Sequence, residues 1–443
     1  MPFKFLMYLQ PVRYFSVPRK NGSYIYPKFE SIPDSILQTV TAHPKYTSEA
    51  ARHYDLVWQA LHIGYTNGDS FYEKFETLPV KDEYVFVRSY FNAVWSIYIL
   101  FLRLVSFKNP IVELRAFLYA KSVQKQQLAK KALAYSDFLT FPSQLLAEKP
   151  LVSVIIPTLN RYEYLRDVLH DLEKQTYSNF DVIVVDQSDD FSAEFYSEFN
   201  LKINLKHQTE KALWLARNTA IEVSKAEYLL FFDDDSRVYP EWIANHLRCL
   251  EYFKADGSSG VSLSTIGDSI PEHYSYFRIS DQLDTGNVLL KKSVFRQIGM
   301  YDRQFEKQRM GDGEFGMRMF VNGLINISNP HASRVHLKVG TGGLRQMGSW
   351  DAFRPKKWLA PRPIPSVLYF YRRYFGVKRT QFALLKTLPP SIIPYRFKKS
   401  RKLKLLGIFV SVFLLPIIMI QVYLSWKKAS RKINEGPQIR AID

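Results

Sequence analysis

The chain has 443 residues, with 60 Lys and Arg against 42 Asp and Glu and a formal net charge of +18. A hydrophobic fraction of 47% in a chain of this length is enough for a sizeable core and two or three domains, which excludes disorder of the whole chain. The single cysteine, Cys249, excludes an intramolecular disulfide framework and favours a reducing compartment. The N-terminal sequence lacks an uninterrupted apolar core followed by a small-residue cleavage site, so we expect no secretory signal.

The positive charge is concentrated at the C-terminal end. From Arg354 onward there are 20 Lys and Arg but only two acids, Glu435 and Asp443, so this segment carries the whole excess of +18. Residues 1–353 contain 40 residues of each sign and are neutral. An evenly basic chain would favour a nucleic-acid-binding protein, but this confined charge and the lack of a nucleic-acid-binding motif do not. We therefore expect no nucleic-acid partner.

Residues 1–150 form an N-terminal extension that is rich in aromatic residues, mixed in charge and without a recognisable chemical motif. We expect it to be largely helical. An uncharged run at residues 89–102 is short for a membrane span, which favours a buried or interfacial helix. Helical spacing is predicted again over residues 111–135. The composition changes near Pro150, where we place the entry to a second domain.

From residue 151 the pattern alternates between strands and helices. Short β-branched or aromatic runs at 152–156, 182–185 and 228–232 predict buried strands, and apolar residues at helical spacing separate them. This alternation predicts an α/β fold with a mostly parallel sheet and helices on both faces. Such sheets bind ligands beyond the carboxyl ends of their strands, and the polar residues fall there: Thr158, Asn160, Asp186 and Asp233 to Asp235.

The sharpest local signal is the run Asp233, Asp234, Asp235 after a strand that should be buried. Burying this much negative charge is costly unless a positive charge compensates it. Carboxylate oxygens suit Mg²⁺ or Mn²⁺, and Mg²⁺ commonly shares its coordination with phosphate, so the run predicts a metal-bound diphosphate. Two alternatives are an acidic turn capping a helix that starts near Pro240 and a phosphatase with a nucleophilic Asp.

The surrounding segments are SVIIPTLNRYEYLRDVLHDLEKQTYSNFDVIVVDQS, LARNTAIEVSKAEYLLFFDDDS, GNVLLKKSVFRQIGMYD and GDGEFGMR. In order and spacing, from about Leu151 to about His336, they resemble the family 2 glycosyltransferases. The resemblance implies a glycosyltransferase A fold, a Rossmann-like sheet that holds a nucleotide-diphosphate sugar beside an acceptor-binding half. It also implies a divalent cation bound by a D-x-D motif and inversion of the anomeric centre. We place this catalytic domain at residues 151–350.

The resemblance assigns four positions to the nucleoside. Thr158 and Arg161 match residues near the base and ribose, and Asp186 matches the residue that contacts the base. Many relatives carry a second acid after it, where this chain has Gln187. An amide both donates and accepts hydrogen bonds, whereas a carboxylate only accepts, so the identity of the base stays open.

The resemblance assigns the diphosphate and the metal to the acidic run and to one histidine. Asp234 would contact the ribose or the sugar, and Asp233 and Asp235 would hold the metal. His336 matches a position at which relatives often supply a further metal ligand, although a lone histidine is more often structural.

Three further features relate to the diphosphate. We place Lys211 and Arg217 on the intervening helix, and either could reach a phosphate or form a salt bridge on the helix surface. The glycine-rich stretch 340–345, which ends in Arg345, predicts a loop closing over the diphosphate or a plain surface turn.

The catalytic base is assigned to Asp312. Inversion needs a base opposite the leaving diphosphate to take the proton of the acceptor hydroxyl. The resemblance aligns Asp312 with the aspartate of the family's Glu-Asp motif, and Gly311 replaces the usual glutamate. Asp312 could also cap the following helix, and Glu314 could contact the acceptor or favour the helix N-terminus electrostatically.

Residues 351–443 form a basic C-terminal region around the apolar segment 405–426, which has 22 uncharged positions. Its length suffices for a membrane span, but both flanks are basic and Pro416 permits a kink. A full span, a re-entrant or in-plane helix pair and a buried C-terminal helix therefore all stay open. Lys and Arg beside apolar helices are attracted to anionic headgroups, which favours membrane association.

These features together predict a membrane-associated, metal-dependent inverting glycosyltransferase with a cytoplasmic catalytic domain. We expect it to use a nucleotide-diphosphate sugar, a divalent cation and a saccharide or lipid-linked saccharide acceptor in cell-surface glycan synthesis. The alternatives are a catalytically inactive relative that serves as a membrane scaffold, or a basic nucleic-acid-binding protein.

Overall fold

The computed structural model describes residues 1–264, 269–280, 283–340, 342–344, 351–355, 357–394, 397 and 400–442. The chain folds as two compact units. The first combines Met1–Leu133 with Tyr371–Pro389, and the second combines Ala134–Phe370 with Pro390–Asp443. These boundaries differ from the expected ones at 150 and 351, because Phe138, Leu145 and Leu146 pack into the core of the sheet unit.

The first unit is built from helices around an aromatic core. The Phe86 ring stacks on Phe3 at a centroid distance of 3.7 Å and meets the edge of Trp58 at 5.0 Å. Aromatic pairs of this kind contribute beyond the area they bury. The helices of the N-terminal segment are α1 (Leu6–Leu9), α2 (Asp34–Leu37), α3 (Glu49–His62), α4 (Val80–Tyr90), α5 (Ala93–Val105) and α6 (Pro110–Ala120).

Helices α5 and α6 pair through a buried ion pair and leave apolar side chains in solvent. Arg103 lies 2.5 Å from Glu113, which also accepts a hydrogen bond from Tyr84 at 3.1 Å. Helix α6 ends at Ala120, so the helix expected over 111–135 is shorter, because Gln126 donates instead to the Ser89 carbonyl. The exposed apolar residues are Val94, Ile97, Phe101, Val105, Phe107, Ile111, Val112, Leu114 and Leu118.

The second unit contains one sheet with the strand order β3-β2-β1-β4-β8-β6-β9-β5, and β7 also pairs with β9. The three strands predicted from the sequence are present as β1, β2 and β4. The strands are β1 (Val152–Thr158), β2 (Phe180–Asp186), β3 (Ile203–His207), β4 (Tyr228–Phe232), β5 (Ser236–Val238), β6 (Gly257–Leu263), β7 (Arg278–Ile279), β8 (Asn287–Lys291) and β9 (Asn326–His336).

Helices cover both faces of this sheet, which confirms the predicted α/β class. Leu230 belongs to a core that also contains Leu169 and Leu247 from helices on one face. The next residue, Phe231, points the other way and meets the Phe295 ring at 5.8 Å. The helices of the second unit are α7 (Gln144–Glu148), α8 (Tyr162–Glu173), α9 (Leu213–Val223), α10 (Trp242–Tyr252), α11 (Lys292–Ile298), α12 (Gly311–Val321), α14 (Arg401–Phe413) and α15 (Leu415–Glu435). Helix α13 (Pro365–Thr387) begins in the second unit, and from Tyr371 its residues belong to the first.

The sheet is mixed rather than mostly parallel. Strands β3, β2, β1 and β4 are parallel, as predicted, but β8 runs antiparallel to both β4 and β6. No α-helix connects β6 to β8 among the described residues of that connection, and parallel neighbours usually need such a crossover. The start of β8 therefore lies at the same edge of the sheet as the end of β4.

The C-terminal region contains two apolar helices joined at a sharp bend. Leu405–Phe413 and Leu415–Glu435 differ in direction by 85°, with Pro416 in the first turn of α15. Within the described residues, length and composition would let this bent pair cross a bilayer together, whereas each helix alone falls short. The kink expected from Pro416 is thus present as a break between helices.

Candidate active site

The acidic run follows β4 at the ligand-binding edge of the sheet. Strand β5 begins directly after it, and β5 pairs with β9 so that Ser236 lies opposite His336. This register brings His336 Nε2 to 3.2 Å from Asp235 Oδ1. The candidate ligand atoms of Asp233, Asp235 and His336 all lie within 4.8 Å of one another. The structure thus brings together the three residues assigned to the metal.

The donor set fits a divalent cation of intermediate hardness. Two carboxylates suit Mg²⁺ and Mn²⁺, whereas an imidazole is a better ligand for transition metals than for Mg²⁺. Of these two ions, Mn²⁺ accepts both donor types. The helix-capping alternative fails, because α10 begins at Trp242 after β5 and its N-cap residue is Glu241.

Buried arginines already compensate the acidic run. Arg217 lies 3.2 Å from Asp233 Oδ1, and Arg334 lies 2.9 Å from Asp233 Oδ2. Arg161 contacts Asp234 at 2.9 Å and Asp235 at 3.2 Å. Charge compensation alone therefore does not require a metal. The observation that favours a metal is the close approach of the three candidate ligand atoms.

Asp234 is held by groups of the protein. Thr158 Oγ1 donates a hydrogen bond to its Oδ2 at 2.9 Å, and Arg161 donates to its Oδ1. Burial raises the pKa of Asp234 to about 6, and Arg161 partly opposes this shift. Thr158 and Arg161, which were expected near the base and ribose, position this carboxylate in the structure.

Arg334 is a site residue that the sequence reasoning missed. It is 1% exposed and bonds Asp284 as well as Asp233. It lies two residues before His336 on β9, and alternate residues of a strand face the same side. A buried cation at this spacing from a candidate ligand was the available signal.

The residues assigned to the base lie at the end of β2. Asp186 is fully buried and accepts hydrogen bonds from Tyr162 at 2.6 Å, from Tyr196 at 2.7 Å and from the Ser188 amide at 2.8 Å. The Gln187 carbonyl oxygen accepts from the Ala212 amide at 2.7 Å. Both side chains therefore fasten the neighbouring loops to the strand.

Lys211 and Gly343 of the glycine-rich stretch contact residues outside the acidic run. Lys211 precedes α9 rather than lying on it, and its ammonium pairs with the exposed carboxylate of Asp189. Gly343 donates its amide to the Leu159 carbonyl at 2.8 Å, and a Cβ there would come within 2.4 Å of the Arg161 guanidinium. Arg345 lies outside the described residues.

Asp312 occupies the first turn of α12 and accepts a hydrogen bond from the Thr285 hydroxyl. A side chain at Gly311 would collide with the Trp214 indole, since its Cβ would lie 2.2 Å from Cζ2. The indole thus occupies the space that a side chain at residue 311 would need. Glu314 is buried and pairs with Arg318 at 3.0 Å, so it does not face an acceptor.

A continuous chain of contacts joins the two acidic centres. Arg217, which pairs with Asp233, also donates to the Thr285 carbonyl at 2.9 Å, and the Thr285 hydroxyl donates to Asp312. Arg217 and Asp312 line the same cleft beside Trp214. The candidate metal ligands and the candidate base therefore belong to one site.

Known proteins resemble this chain over the sheet unit. Residues 153–322 match the sequence profile described as Glycosyl transferase family 2. Glycosyltransferase AglE of Haloferax volcanii is 28% identical over 192 residues, which cover 41% of this chain and 60% of AglE. Glycosyltransferase GlyG of Streptococcus pneumoniae serotype 4 is 26% identical over 272 residues, which cover 59% of this chain and 83% of GlyG.

Among solved structures, the mannosyltransferase PcManGT of Pyrobaculum calidifontis, in complex with GDP-Man and Mn²⁺, is 17% identical with a TM-score of 0.38. The match covers 68% of this chain and 79% of that chain. The chain spans less than two thirds of AglE. The sequence profile nevertheless matches the stretch from β1 to the end of α12 that builds most of the site. Residues 153–322 therefore form a domain of glycosyltransferase family 2 within this chain.

Proposed function

We propose that the chain is a metal-dependent inverting glycosyltransferase that moves a sugar from a nucleotide-diphosphate donor to a hydroxyl of a saccharide or lipid-linked saccharide. The observation that carries this proposal is the contact chain Asp233–Arg217–Thr285–Asp312. This chain of contacts links the candidate metal ligands to the carboxylate of Asp312, and transfer from a diphosphate leaving group to a hydroxyl needs both groups close to the reacting sugar. Cell-surface glycan synthesis is the context in which we place this activity.

The donor would bind beyond the carboxyl ends of β1, β2 and β4. Asp233, Asp235 and His336 would hold the cation, and Arg161, Arg217 and Arg334 line the acidic run as positive groups. When bound, the cation neutralises charge on the diphosphate oxygens as the leaving group departs. The arginines are then available to the diphosphate, because the cation compensates the aspartates with which they now pair.

Asp312 would act as the base in a single displacement. One carboxylate oxygen accepts from Thr285, which leaves the other for the acceptor hydroxyl. As the acceptor oxygen forms its bond to the anomeric carbon, the hydroxyl proton passes to Asp312 and the bond to the diphosphate oxygen breaks with its electron pair. Attack on the face opposite the leaving group inverts the anomeric centre.

We also propose that the protein associates with a membrane and that its catalytic domain is cytoplasmic. The exposed apolar surfaces support the membrane association. Phe409 and Phe413 on α14 are 62% and 71% exposed. In the first unit, Phe107 between α5 and α6 is 97% exposed and is followed by the cation Lys108. Apolar faces beside basic residues bind the interface of anionic membranes.

A thermal-shift screen with UDP-, GDP- and dTDP-sugars tests the proposal. We expect at least one donor to raise the unfolding temperature with Mn²⁺ but not with EDTA, because the diphosphate binds through the cation. Asp235→Ala should lose this stabilisation. Asp167→Ala, which removes an exposed carboxylate from α8, should keep it. Equal stabilisation of Asp235→Ala, or equal stabilisation in EDTA, would contradict the metal role.

A further inference from the structure

A cavity of about 230 Å³ lies where the two apolar C-terminal helices meet. All of its walls belong to the second unit. Gln421 of α15 holds the segment around Trp358 and Arg362 against the helix. Its side-chain Nε2 donates to the Trp358 carbonyl at 2.7 Å, and its main-chain carbonyl accepts from the Arg362 amide at 3.2 Å. The lining includes Lys357, Trp358, Arg362, Leu414, Ile418 and Gln421.

The Arg362 side chain lines this cavity. Its Nε and Nη1 atoms are buried and have no hydrogen-bond partner among the described residues. Burial, and to a lesser extent the neighbouring Arg354, lowers the pKa of Arg362. A buried cationic donor without an acceptor is unfavourable, so an anion bound beside both Arg362 donors would be stabilised.

The residues that line the cavity all belong to a stretch of the sequence that contains no carboxylate. Residues 352–434 include 19 Lys and Arg and no Asp or Glu. A ligand from outside the chain is therefore the natural source of the anion. Arginine matches the geometry of phosphate oxygens through two parallel donors, and Lys357 adds a second positive charge in the same cavity.

The cavity continues into an apolar surface. The two helices that meet there expose Phe409, Phe413, Leu415 and Met419, each more than half accessible. A small inorganic anion would leave this surface in water, whereas an anion attached to a hydrocarbon chain would cover it. The site therefore favours an amphiphilic phosphate.

A short segment of the chain joins this cavity to the cleft that contains Asp312. Arg362 is four residues from Ser366, whose amide donates to Gln308 Oε1 at 3.1 Å, and Gln308 lines that cleft. Four extended residues span at most about 14 Å. A single ligand could thus place its phosphate at Arg362 and a short saccharide at Asp312.

We propose that this cavity binds the phosphate of a lipid-linked saccharide acceptor, with Arg362 and Lys357 as the cationic groups and the apolar faces of α14 and α15 as the seat of its hydrocarbon chain. The inference rests on the proposed transferase function and names its acceptor class.

Binding of farnesyl phosphate in neutral detergent tests the site, with farnesol, inorganic phosphate and dioctanoyl phosphatidic acid as comparisons. Calorimetry should give the tightest binding for farnesyl phosphate, because it alone combines a phosphate with a single prenyl chain. We expect Arg362→Gln to weaken it at least about tenfold. The matched charge control is Lys428→Gln on the exposed side of α15, which should bind like the native protein.

Three results would overturn the inference. The first is equal affinity of Arg362→Gln and the native protein for farnesyl phosphate. The second is inorganic phosphate binding as tightly, which would assign the cavity to a free anion. The third is phosphatidic acid binding as tightly, which would assign it to a bilayer headgroup rather than to an acceptor.

Two further measurements separate this inference from folding and from the proposed function. Because two of the Arg362 donors have no partner, Arg362→Gln should unfold at the same temperature as the native protein or higher. A lower temperature would indicate a structural role and count against the site. Donor stabilisation with Mn²⁺ should be unchanged in this variant. If neither the native protein nor the variant binds a donor, the proposed transferase function fails. The farnesyl phosphate measurement still shows whether the cavity binds a lipid phosphate.

Discussion

Consecutive aspartates at the end of a buried strand need positive partners, and here three arginines from different parts of the chain supply them. Arg161 follows β1, Arg217 lies on α9 and Arg334 lies on β9. The three aspartates and the three arginines therefore carry equal and opposite formal charges. A cation bound at this site would compete with the arginines for the carboxylates, and we expect a diphosphate bound at the same time to pair with the arginines.

The Asp312→Asn substitution should abolish sugar transfer and leave donor binding intact. The amide can still accept from Thr285, so the local geometry is kept, but it cannot take the proton of the acceptor hydroxyl. We expect transfer to slow by about 10²- to 10⁴-fold. Product formation checks the rate, and calorimetry with donor and Mn²⁺ checks the binding. Transfer at the native rate would remove Asp312 from the role of base.

At the level of single residues, the sequence predicted the part of the site that lies next to strand ends. Asp233, Asp235 and His336 come together as the resemblance implied. Arg334 was not predicted, because its role depends on the register between β5 and β9 rather than on local sequence. Gly311 replaces the glutamate that the resemblance implies. The Trp214 ring leaves no space for a side chain there, and this ring belongs to α9, which is distant in the sequence.

Among the elements, β8 determines the shape of the site. It runs antiparallel to β4, with Asn287 opposite Phe232, so the residues just before it meet the acidic run. Gly286 and Thr285 are thereby brought beside Asp233 and Asp312. Alternating strands and helices predicted the parallel half of the sheet, but hydrophobic patterns do not encode strand direction. The antiparallel pairing of β8 with β4 and β6 could therefore not be predicted from the sequence.

Gly286→Ala should weaken metal binding without unfolding the domain. A Cβ at this position would lie 2.1 Å from Asp233 Oδ2 and 2.5 Å from Arg334 Nη1, so both side chains would have to move. We expect Mn²⁺ affinity to fall by about 10- to 100-fold, as for other groups that orient metal ligands. Calorimetric Mn²⁺ titration with donor present measures this. Gly313→Ala, whose Cβ would have ordinary contacts of 3.7 Å, is the control. Equal affinity in the two variants would refute the explanation.

The packing of α10 against the sheet contains a buried histidine that makes folding sensitive to acid. His246 is fully buried between the Ser258 hydroxyl at 2.9 Å and Asn287 Oδ1 at 3.1 Å. Burial lowers its pKa from 6.5 to about 4. The unfolded chain therefore binds the proton more readily than the folded one between these values. The contribution of neutral His246 to stability is present above pH 6.5 and is lost as the pH falls towards 4.

His246→Gln should remove this dependence. Between pH 7 and pH 4.5 the free energy of unfolding of the native protein should fall by about 2 to 3 kcal/mol more than that of the variant. Urea unfolding at both pH values measures the difference. Parallel losses in the two proteins would show that other groups cause the acid sensitivity.

At the scale of the whole molecule, the sequence alone shows where the charge lies along the chain, and the basic part folds differently from the neutral part. Residues 1–353 supply every strand of the sheet and most of the helical unit, and the basic part, which belongs mainly to the second unit, contains the bent apolar pair. The division into two units was less accessible, because Tyr371–Pro389 joins the N-terminal unit from far along the chain. Contacts between distant segments leave no mark in local composition.

Membrane attachment should depend on the exposed stripe of α14. Leu405, Phe409 and Phe413 lie four residues apart and are 68%, 62% and 71% exposed. Replacing all three by Ser should move the protein from the membrane pellet to the supernatant, because burying apolar surface in lipid drives the attachment. Native protein should resist high salt and be released by detergent. Replacing Lys427 and Lys428 by Gln is the charge control. Release of the native protein by salt alone would contradict an inserted segment.

The stretch of 83 residues without a carboxylate, 352–434, has a consequence for how the protein behaves in solution. It is a polycation that will adsorb nucleic acid released during cell lysis, because each neutralised backbone phosphate frees a counterion. Such adsorption falls steeply as salt is added and carries no base preference. An apparent affinity for DNA or RNA at low ionic strength would therefore be a property of this stretch and no guide to the biological partner.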